Sequence, residues 1–354
     1  MVSGNRSGAT MTTRNNQCPV RRPVSQDVLS LFQGAERVLV LTHQNPDGDA
    51  LGSASGLALA LCGQGKTAHI YLTGNRSDNL LFLVENLTVL EAVEEPEQYD
   101  LVALLDCHGF DRLGPDEGPA LAALLAGTKK TAPLAVIDHH LLGDRETASS
   151  TWLWDSSASS TGELVTDLLS ALEWSYSKEA ADALLLAIAS DTGFFSQTNA
   201  TSGALAAASD LVAAGGSLEE VDRRIRKDWP PRRLRLMGLV LNSLELHFNG
   251  RVAIMSVTPA MLEAAQAEMS DTEDFVEMGR SLAGVDLSVL IKDSGGGQGA
   301  VRVGLRSRGE VNAQALAKSF GGGGHRQASA YNDPCAADAR EVKTRLLAVV
   351  EKYL

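Results

Sequence analysis

Residues 37–53 read RVLVLTHQNPDGDALGS, and this stretch decides the fold. Arg37–Thr42 is apolar without alternation, the pattern of a strand buried on both faces. It runs into His43-Gln44-Asn45-Pro46-Asp47-Gly48-Asp49, where Pro46 and Gly48 permit a tight turn. A helix should follow, and its small residues Ala50, Gly52 and Ser53 let it approach the loop closely. Asp49 sits where that helix starts, so it is also a candidate N-cap.

Other segments end in the same way. Leu101–Leu105 (LVALL) runs into Asp106, and Leu134–Ile137 (LAVI) runs into Asp138-His139-His140. Leu184–Ser190 (LLLAIAS), read as a helix, runs into Asp191. Ligands of an open parallel sheet bind at the carboxyl ends of its strands, so these acids and imidazoles should converge on one crevice. Carboxylates crowded together repel strongly unless cations neutralise them. The economical answer is a pair of hard divalent cations. Carboxylates with imidazoles suit manganese or magnesium better than thiolate-loving zinc. Sharing one carboxylate between two ions gives a separation of about 3.5–4 Å, the spacing of two-metal hydrolases.

The bulk numbers set limits. A length of 354 residues favours two domains. With 44% hydrophobic and 21% charged residues, the composition is that of a soluble globular protein. No apolar run is long enough for a bilayer, and residues 1–24 lack the apolar core of a secretory signal. Scattered Cys18, Cys62, Cys107 and Cys335 form no zinc or disulfide framework, which points to a cytoplasmic location. A net charge of −13 argues against gripping long DNA or RNA and leaves room for a small phosphorylated ligand.

Residues 1–24 read as a disordered tail, and 25–215 alternate strands and helices as in a doubly wound, mostly parallel α/β sheet. Strands are expected at Val38–Thr42, Ala68–Leu72, Leu101–Asp106, Leu134–Asp138 and Thr151–Trp154. Helices are expected at Leu51–Cys62, Ala120–Leu125, Thr161–Leu172, Lys178–Ser190 and Ser202–Ala214. Ser160 and Glu163 have the spacing of a capping box. Residues 216–250 read as a helical linker crowded with arginines and interrupted at Pro230-Pro231. Residues 251–354 read as a smaller α+β domain.

These residues resemble the motifs of the DHH phosphoesterase superfamily. The resemblance lies in HxNPDGDAxGS at 43–53, the isolated Asp106, DHH at 138–140 and DTG at 191–193. Gly321-Gly322-Gly323-Gly324-His325, preceded by Leu305-Arg306-Ser307, is similar to the signature of the accessory DHHA1 domain. Size and domain order resemble the short oligoribonucleases called nanoRNases. The resemblance implies that His43 and Asp47 hold one metal, that Asp49, His139 and Asp191 hold the other, and that Asp106 bridges them. Asp138 would orient an imidazole, and His140 would face the substrate as phosphate donor or as acid for the leaving oxygen. His108, on the loop after Asp106, has no motif partner and reads as incidental.

Four consecutive glycines expose backbone N–H groups that can cradle phosphate, and Arg306 can fork onto one. Arg306, Gly322, Gly323, Gly324 and His325 are therefore the substrate-binding candidates. The implied activity is hydrolysis of short oligoribonucleotides such as pApA or pGpG, or of 3′-phosphoadenosine 5′-phosphate. It would take place in a cleft between the domains, with two cations, manganese ahead of magnesium. No membrane partner is expected, and a homodimer is compatible with the sequence. The rival readings are a pyrophosphatase or polyphosphatase, a single-strand-specific exonuclease, and a non-catalytic nucleotide sensor.

Overall fold

The computed structural model describes residues 21–354 apart from 129–131, 142–149, 228, 296–300, 325, 334–335 and 337. The chain divides into two units, Met1–Lys227 and Asp228–Leu354, and the division falls inside the segment read as a linker.

In the first unit the apolar runs become six strands: β1 (Arg37–Thr42), β2 (Thr67–Tyr71), β3 (Thr88–Leu90), β4 (Leu101–Leu105), β5 (Leu134–Asp138) and β6 (Ser150–Trp154). They pair in parallel in the order β3-β2-β1-β4-β5-β6. The winding direction reverses between β1 and β4, and a doubly wound sheet opens its crevice at that switch point. His43 follows β1 and Asp106 follows β4, so both motifs leave the sheet there. Burial on both faces explains the unbroken hydrophobicity of β1. Val38 and Val40 enter one core cluster, and Leu39 and Leu41 enter another on the opposite face.

The helices are α1 (Gln26–Gly34), α2 (Gly48–Gly63), α3 (Glu117–Ala126), α4 (Thr161–Ala171), α5 (Lys178–Asp191), α6 (Ser202–Ala213) and α7 (Leu218–Asp222). Gly52 lets α2 approach α5 and not the preceding loop: a Cβ there would lie 2.6 Å from the Ala183 carbonyl oxygen. Gly56 repeats the contact, with a Cβ 2.5 Å from Leu184 Cγ. These glycines press two helix backbones together. One helix begins at Asp49's turn and the other ends on Asp191.

Residues 1–20 of the expected tail lie outside the described residues. Arg21 pairs with Asp167 and Asp210, and Arg22 pairs with Asp155, Glu163 and Asp167. Glu163 and Asp167 are buried on α4, so the arm supplies their countercharges. After α7 a π turn, Arg223–Lys227, carries part of the arginine run. Its cations fold back onto Glu220 and Asp222.

The second unit holds β7 (Glu245–His247), β8 (Val252–Val257), β9 (Leu287–Asp293), β10 (Val301–Ser307), β11 (Gly323–Gly324) and β12 (Ala328–Asp333), in the order β11-β12-β10-β9-β8-β7. Only the β8–β9 pair is parallel among the described residues. Its helices are α8 (Pro231–Asn242), α9 (Pro259–Ala265), α10 (Phe275–Arg280), α11 (Ala313–Ser319) and α12 (Ala339–Val349). Helices α11 and α12 bury one face of the sheet. Helices α8 to α10 cover part of the other face around Met255, Val257 and Leu290. No described helix of the chain is long and apolar enough to cross a membrane.

Candidate metal centre

The turn after β1 is built by Asp47, which takes the N-cap role that the sequence left open for Asp49. Its carboxylate accepts from the Asp49 and Ala50 amides, both at 3.1 Å. That frees the Asp49 carboxylate, which is 1% exposed, to point away from its own helix. It accepts instead from the Thr161 and Gly162 amides at 2.7 and 2.9 Å, the first amides of α4. A helix N-terminus favours negative charge, and Asp49 is held there by two main-chain donors.

Asp106 is also buried, and its backbone is left-handed at φ 59°. A non-glycine residue in that region is strained, and such strain collects at functional sites. Its Oδ1 accepts from Thr161 Oγ1 at 2.9 Å. Around it stand three imidazoles: His43 Nε2 at 3.5 Å, His140 Nδ1 at 3.6 Å and His139 Nε2 at 3.7 Å. His139 Nε2 also lies 3.3 Å from Asp191 Oδ2 and 3.6 Å from Asp49 Oδ2. His43 Nε2 reaches Asp47 at 4.0 Å. The structure thus brings His43, Asp47, Asp49, Asp106, His139, His140 and Asp191 together. Their donor atoms form three overlapping groups: His43–Asp47–Asp106, Asp106–His139–His140 and Asp49–His139–Asp191, each within 4.8 Å.

The donor chemistry fits cations. His43 Nδ1 lies 3.0 Å from the Gln44 carbonyl, and His139 Nδ1 lies 3.4 Å from the Ala158 carbonyl. A carbonyl can only accept, so each Nδ1 carries a proton and each Nε2 faces the acids. His139 Nε2 is buried and has no hydrogen-bond partner, as a ligand atom awaiting a metal would be. Burial lowers the His139 pKa, which keeps its Nε2 lone pair available. For His43, burial is outweighed by the hydrogen bond to Asp106 and the charge of Asp47, and its pKa rises.

The carboxylates feel the opposite pressure. Burial, then the charges of Asp106, Asp191 and Asp47, push Asp49 well above the usual carboxylate range. Burial with Asp47 and Asp106 does the same to Asp191. A divalent cation among them would relieve that repulsion.

Asp138 lies behind the cluster, fully buried. It accepts from His140 N at 3.0 Å and faces His140 Nδ1 at 2.8 Å and His108 Nδ1 at 3.3 Å. The bond to Asp138 holds the His140 imidazole's pKa up at about 9. Those same His140 bonds outweigh burial and keep Asp138 below the ordinary value. His108 therefore belongs to the Asp138 network. Thr161 was missed altogether from sequence: its amide holds Asp49 and its hydroxyl holds Asp106. The signal was present, since Ser160-Thr161-Gly162 opens a helix whose first amides need acceptors.

Two neighbours have structural tasks. Ser160 Oγ caps the Glu163 amide at 3.1 Å. The Glu163 carboxylate accepts from Ser159 N and Oγ, both at 2.7 Å, so the reciprocal half of the capping box closes one residue early. Cys107 is buried, and burial together with Asp106 and Asp138 pushes its thiol well up. It behaves as a small hydrophobe.

The substrate-binding candidates lie in the second unit. Arg306 stands on β10, with Nε donating to Glu277 at 3.0 Å and Nη1 to the Leu305 carbonyl at 3.1 Å. Gly322 is a close-approach position, since a Cβ there would lie 2.3 Å from the Ala330 carbonyl oxygen. Gly323 and Gly324 form β11 against β12, with Gly324 at φ 130°. His325 lies outside the described residues.

Two family models match the chain: the N-terminal domain of the DHH family over residues 37–188 and the DHHA1 domain over residues 249–354. A Thermus thermophilus protein named bifunctional oligoribonuclease and PAP phosphatase NrnA is 34% identical, over 84% of this chain and 84% of its own. A Bacillus subtilis protein of the same name is 27% identical, over 83% of this chain and 88% of its own. Among solved structures, an exopolyphosphatase-related protein from Bacteroides fragilis superposes with a TM-score of 0.81 at 24% identity, covering 92% of this chain and 95% of that one. The order of the motifs, the acid and imidazole cluster they build and these matches lead to one conclusion: this chain belongs to the DHH phosphoesterase family, in the form that carries a C-terminal DHHA1 domain.

Proposed function

We propose that the cluster holds two divalent cations, manganese ahead of magnesium, and hydrolyses phosphoester bonds of short oligoribonucleotides and of 3′-phosphoadenosine 5′-phosphate. His43 and Asp47 would hold one ion, and Asp49, His139 and Asp191 the other, with Asp106 common to both. Oxygen and imidazole donors without thiolate suit those metals. When bound, such ions neutralise charge at phosphorus and lower the pKa of water.

The chain's own residues supply the rest. Thr161 and the first amides of α4 fix Asp49 and Asp106 in place. Asp138 orients the His140 imidazole at 2.8 Å, and His140 would hydrogen-bond a phosphate oxygen or pass its proton to the departing sugar oxygen. Arg306, with His325 and the backbone of Gly323 and Gly324, would hold the part of the substrate that is not cleaved, while the Gly322 amide is already spent on the Ala317 carbonyl at 2.9 Å.

The observation that carries this reading is the buried, partnerless Nε2 of His139, with His43 Nε2 facing the strained and buried Asp106 from the other side. The names of relatives at 34% and 27% identity support the substrate class. This reading places the chain in the cytoplasm, where such substrates arise.

The test is a hydrolysis panel with manganese: pApA, pGpG, longer oligoribonucleotides, 3′-phosphoadenosine 5′-phosphate and pyrophosphate side by side. Turnover of dinucleotides and of the bisphosphate is expected. Turnover of pyrophosphate alone would overturn the substrate assignment and leave a pyrophosphatase.

A further inference from the structure

The second unit's sheet is dressed unequally. On one face Val301, Val303 and Leu305 of β10 and Val289 and Ile291 of β9 enter the core under α11 and α12. Side chains alternate along a strand, so Arg302, Gly304 and Arg306 point to the opposite face. In the antiparallel register Arg302 stands beside Lys292, and Gly304 and Arg306 stand beside Ala330 and Ala328 of β12. The apolar cluster of α8 to α10 reaches Leu290 on that face, but none of these residues belongs to it. The far half of the face is therefore a floor of small residues with cations at both ends.

Those cations differ in their partners. Arg306 is tied to Glu277, which also pairs with Arg280. Arg232 is tied to Asp271, and Arg345 to Asp333 and Glu341. The side chains of Lys292 and Arg302 make no hydrogen bond or ion pair among the described residues. Lys292 is partly buried, and burial lowers its pKa, with Arg302 and Arg306 adding to the effect against Glu273 and Asp274. A half-buried ammonium beside a guanidinium is costly unless an anion joins them. In a chain of net charge −13, that pairing is not explained by a surplus of cations.

We propose that Lys292 and Arg302 form an anion subsite on the open face of the second unit, which binds backbone phosphates of oligonucleotides longer than two residues. The proposal rests on the reading of the chain as a short-oligonucleotide hydrolase, and it extends the grip assigned to Arg306. A strand rises about 3.4 Å per residue, so Arg302 lies about 14 Å along β10 from Arg306. One phosphate group cannot touch both ends, whereas a nucleotide chain laid along the strand can. Gly304, Ala328 and Ala330 leave room between them for sugars and bases.

The test uses the full chain with manganese and the double variants K292A/R302A and K292Q/R302Q, each checked for an unchanged melting profile. The quantity read is the ratio of kcat/KM for a pentaribonucleotide to that for pApA, across a series of salt concentrations. The ratio should fall about tenfold in both variants. The salt slope for the pentanucleotide should shrink by about 0.7 per cation removed, the value for a released counterion on a single strand. An unchanged ratio and slope would overturn the subsite. Equal losses on both substrates would do so as well, since they would mark Lys292 and Arg302 as general supports of the unit. Equilibrium binding of a phosphorothioate pentanucleotide separates this proposal from the activity it rests on. If the parent chain binds it, the variants bind it about tenfold more weakly, and no oligonucleotide is cleaved, the subsite stands and the hydrolase reading fails.

Discussion

The acid cluster of the first unit and the basic sheet face of the second are built by contrasting means. In the first, Asp49, Asp106 and Asp138 are buried, and each is gripped by donors of the fold itself: the α4 amides, the Thr161 hydroxyl and the His140 amide. In the second, Arg302 is exposed, Lys292 is unpaired among the described residues, and only Arg306 is anchored. Chemistry at phosphorus needs side chains fixed to within a fraction of an ångström, so that site takes its rigidity from main-chain donors. Holding a chain of phosphates needs positive charge within reach, and long flexible cations on a flat strand provide it.

Substitution should expose that contrast. The largest effect belongs to Asp106→Ala, which removes the residue shared by two donor groups. Its kcat should fall on the order of a thousandfold, or ~4 kcal/mol. Wild-type turnover in that variant would dissolve the contrast altogether.

Next comes metal dependence. In chelated protein, Asp191→Asn should raise the melting temperature, because it removes one of the mutually repelling acids of the cluster. In the parent chain, manganese at a hundred times its Kd should add about 2.7 kcal/mol, and the variant should lose most of that gain. Thermal melts with and without metal check both signs. A variant that melts lower than the parent without metal would contradict the repulsion argument.

Arg306→Ala should act on the other side of the contrast, raising KM about tenfold with little change in kcat. A fall in kcat at constant KM would move Arg306 into the chemical step. The smallest effect is expected from Arg22→Ala, which strips the buried Glu163 and Asp167 of a countercharge. With Arg22 itself partly exposed, a loss of about 1 kcal/mol in denaturant titration is expected. No change would mean that Arg21 alone balances those acids.

Much of this was legible in sequence where one physical signal dominated. β1, β4 and β5 announced themselves because strands buried on both faces must be apolar throughout. Their polar ends marked the crevice. Thr88–Leu90 was not anticipated: three residues carry no periodicity, and β3 exists because it extends the sheet beside β2. Ala328–Asp333 was missed for another reason. ASAYND has no β-branched residue, and its place in the sheet comes from pairing with β10 on one side and β11 on the other. In the site, residue types and spacing identified the acids and imidazoles. They marked Ser160-Thr161-Gly162 as a helix start but not which acids it would hold, because helix α4 meets α2 only in three dimensions.

The glycine contacts at Gly52 and Gly56 act as a calliper. They set how deeply two antiparallel rods nest, and Asp49 and Asp191 are the tips of the jaws. A methyl group added at either position would wedge the rods and move the tips apart. The spacing of Asp49 and Asp191 is thus set partly by residues that touch neither carboxylate. Larger cations should lose least when residue 52 or 56 is enlarged to alanine.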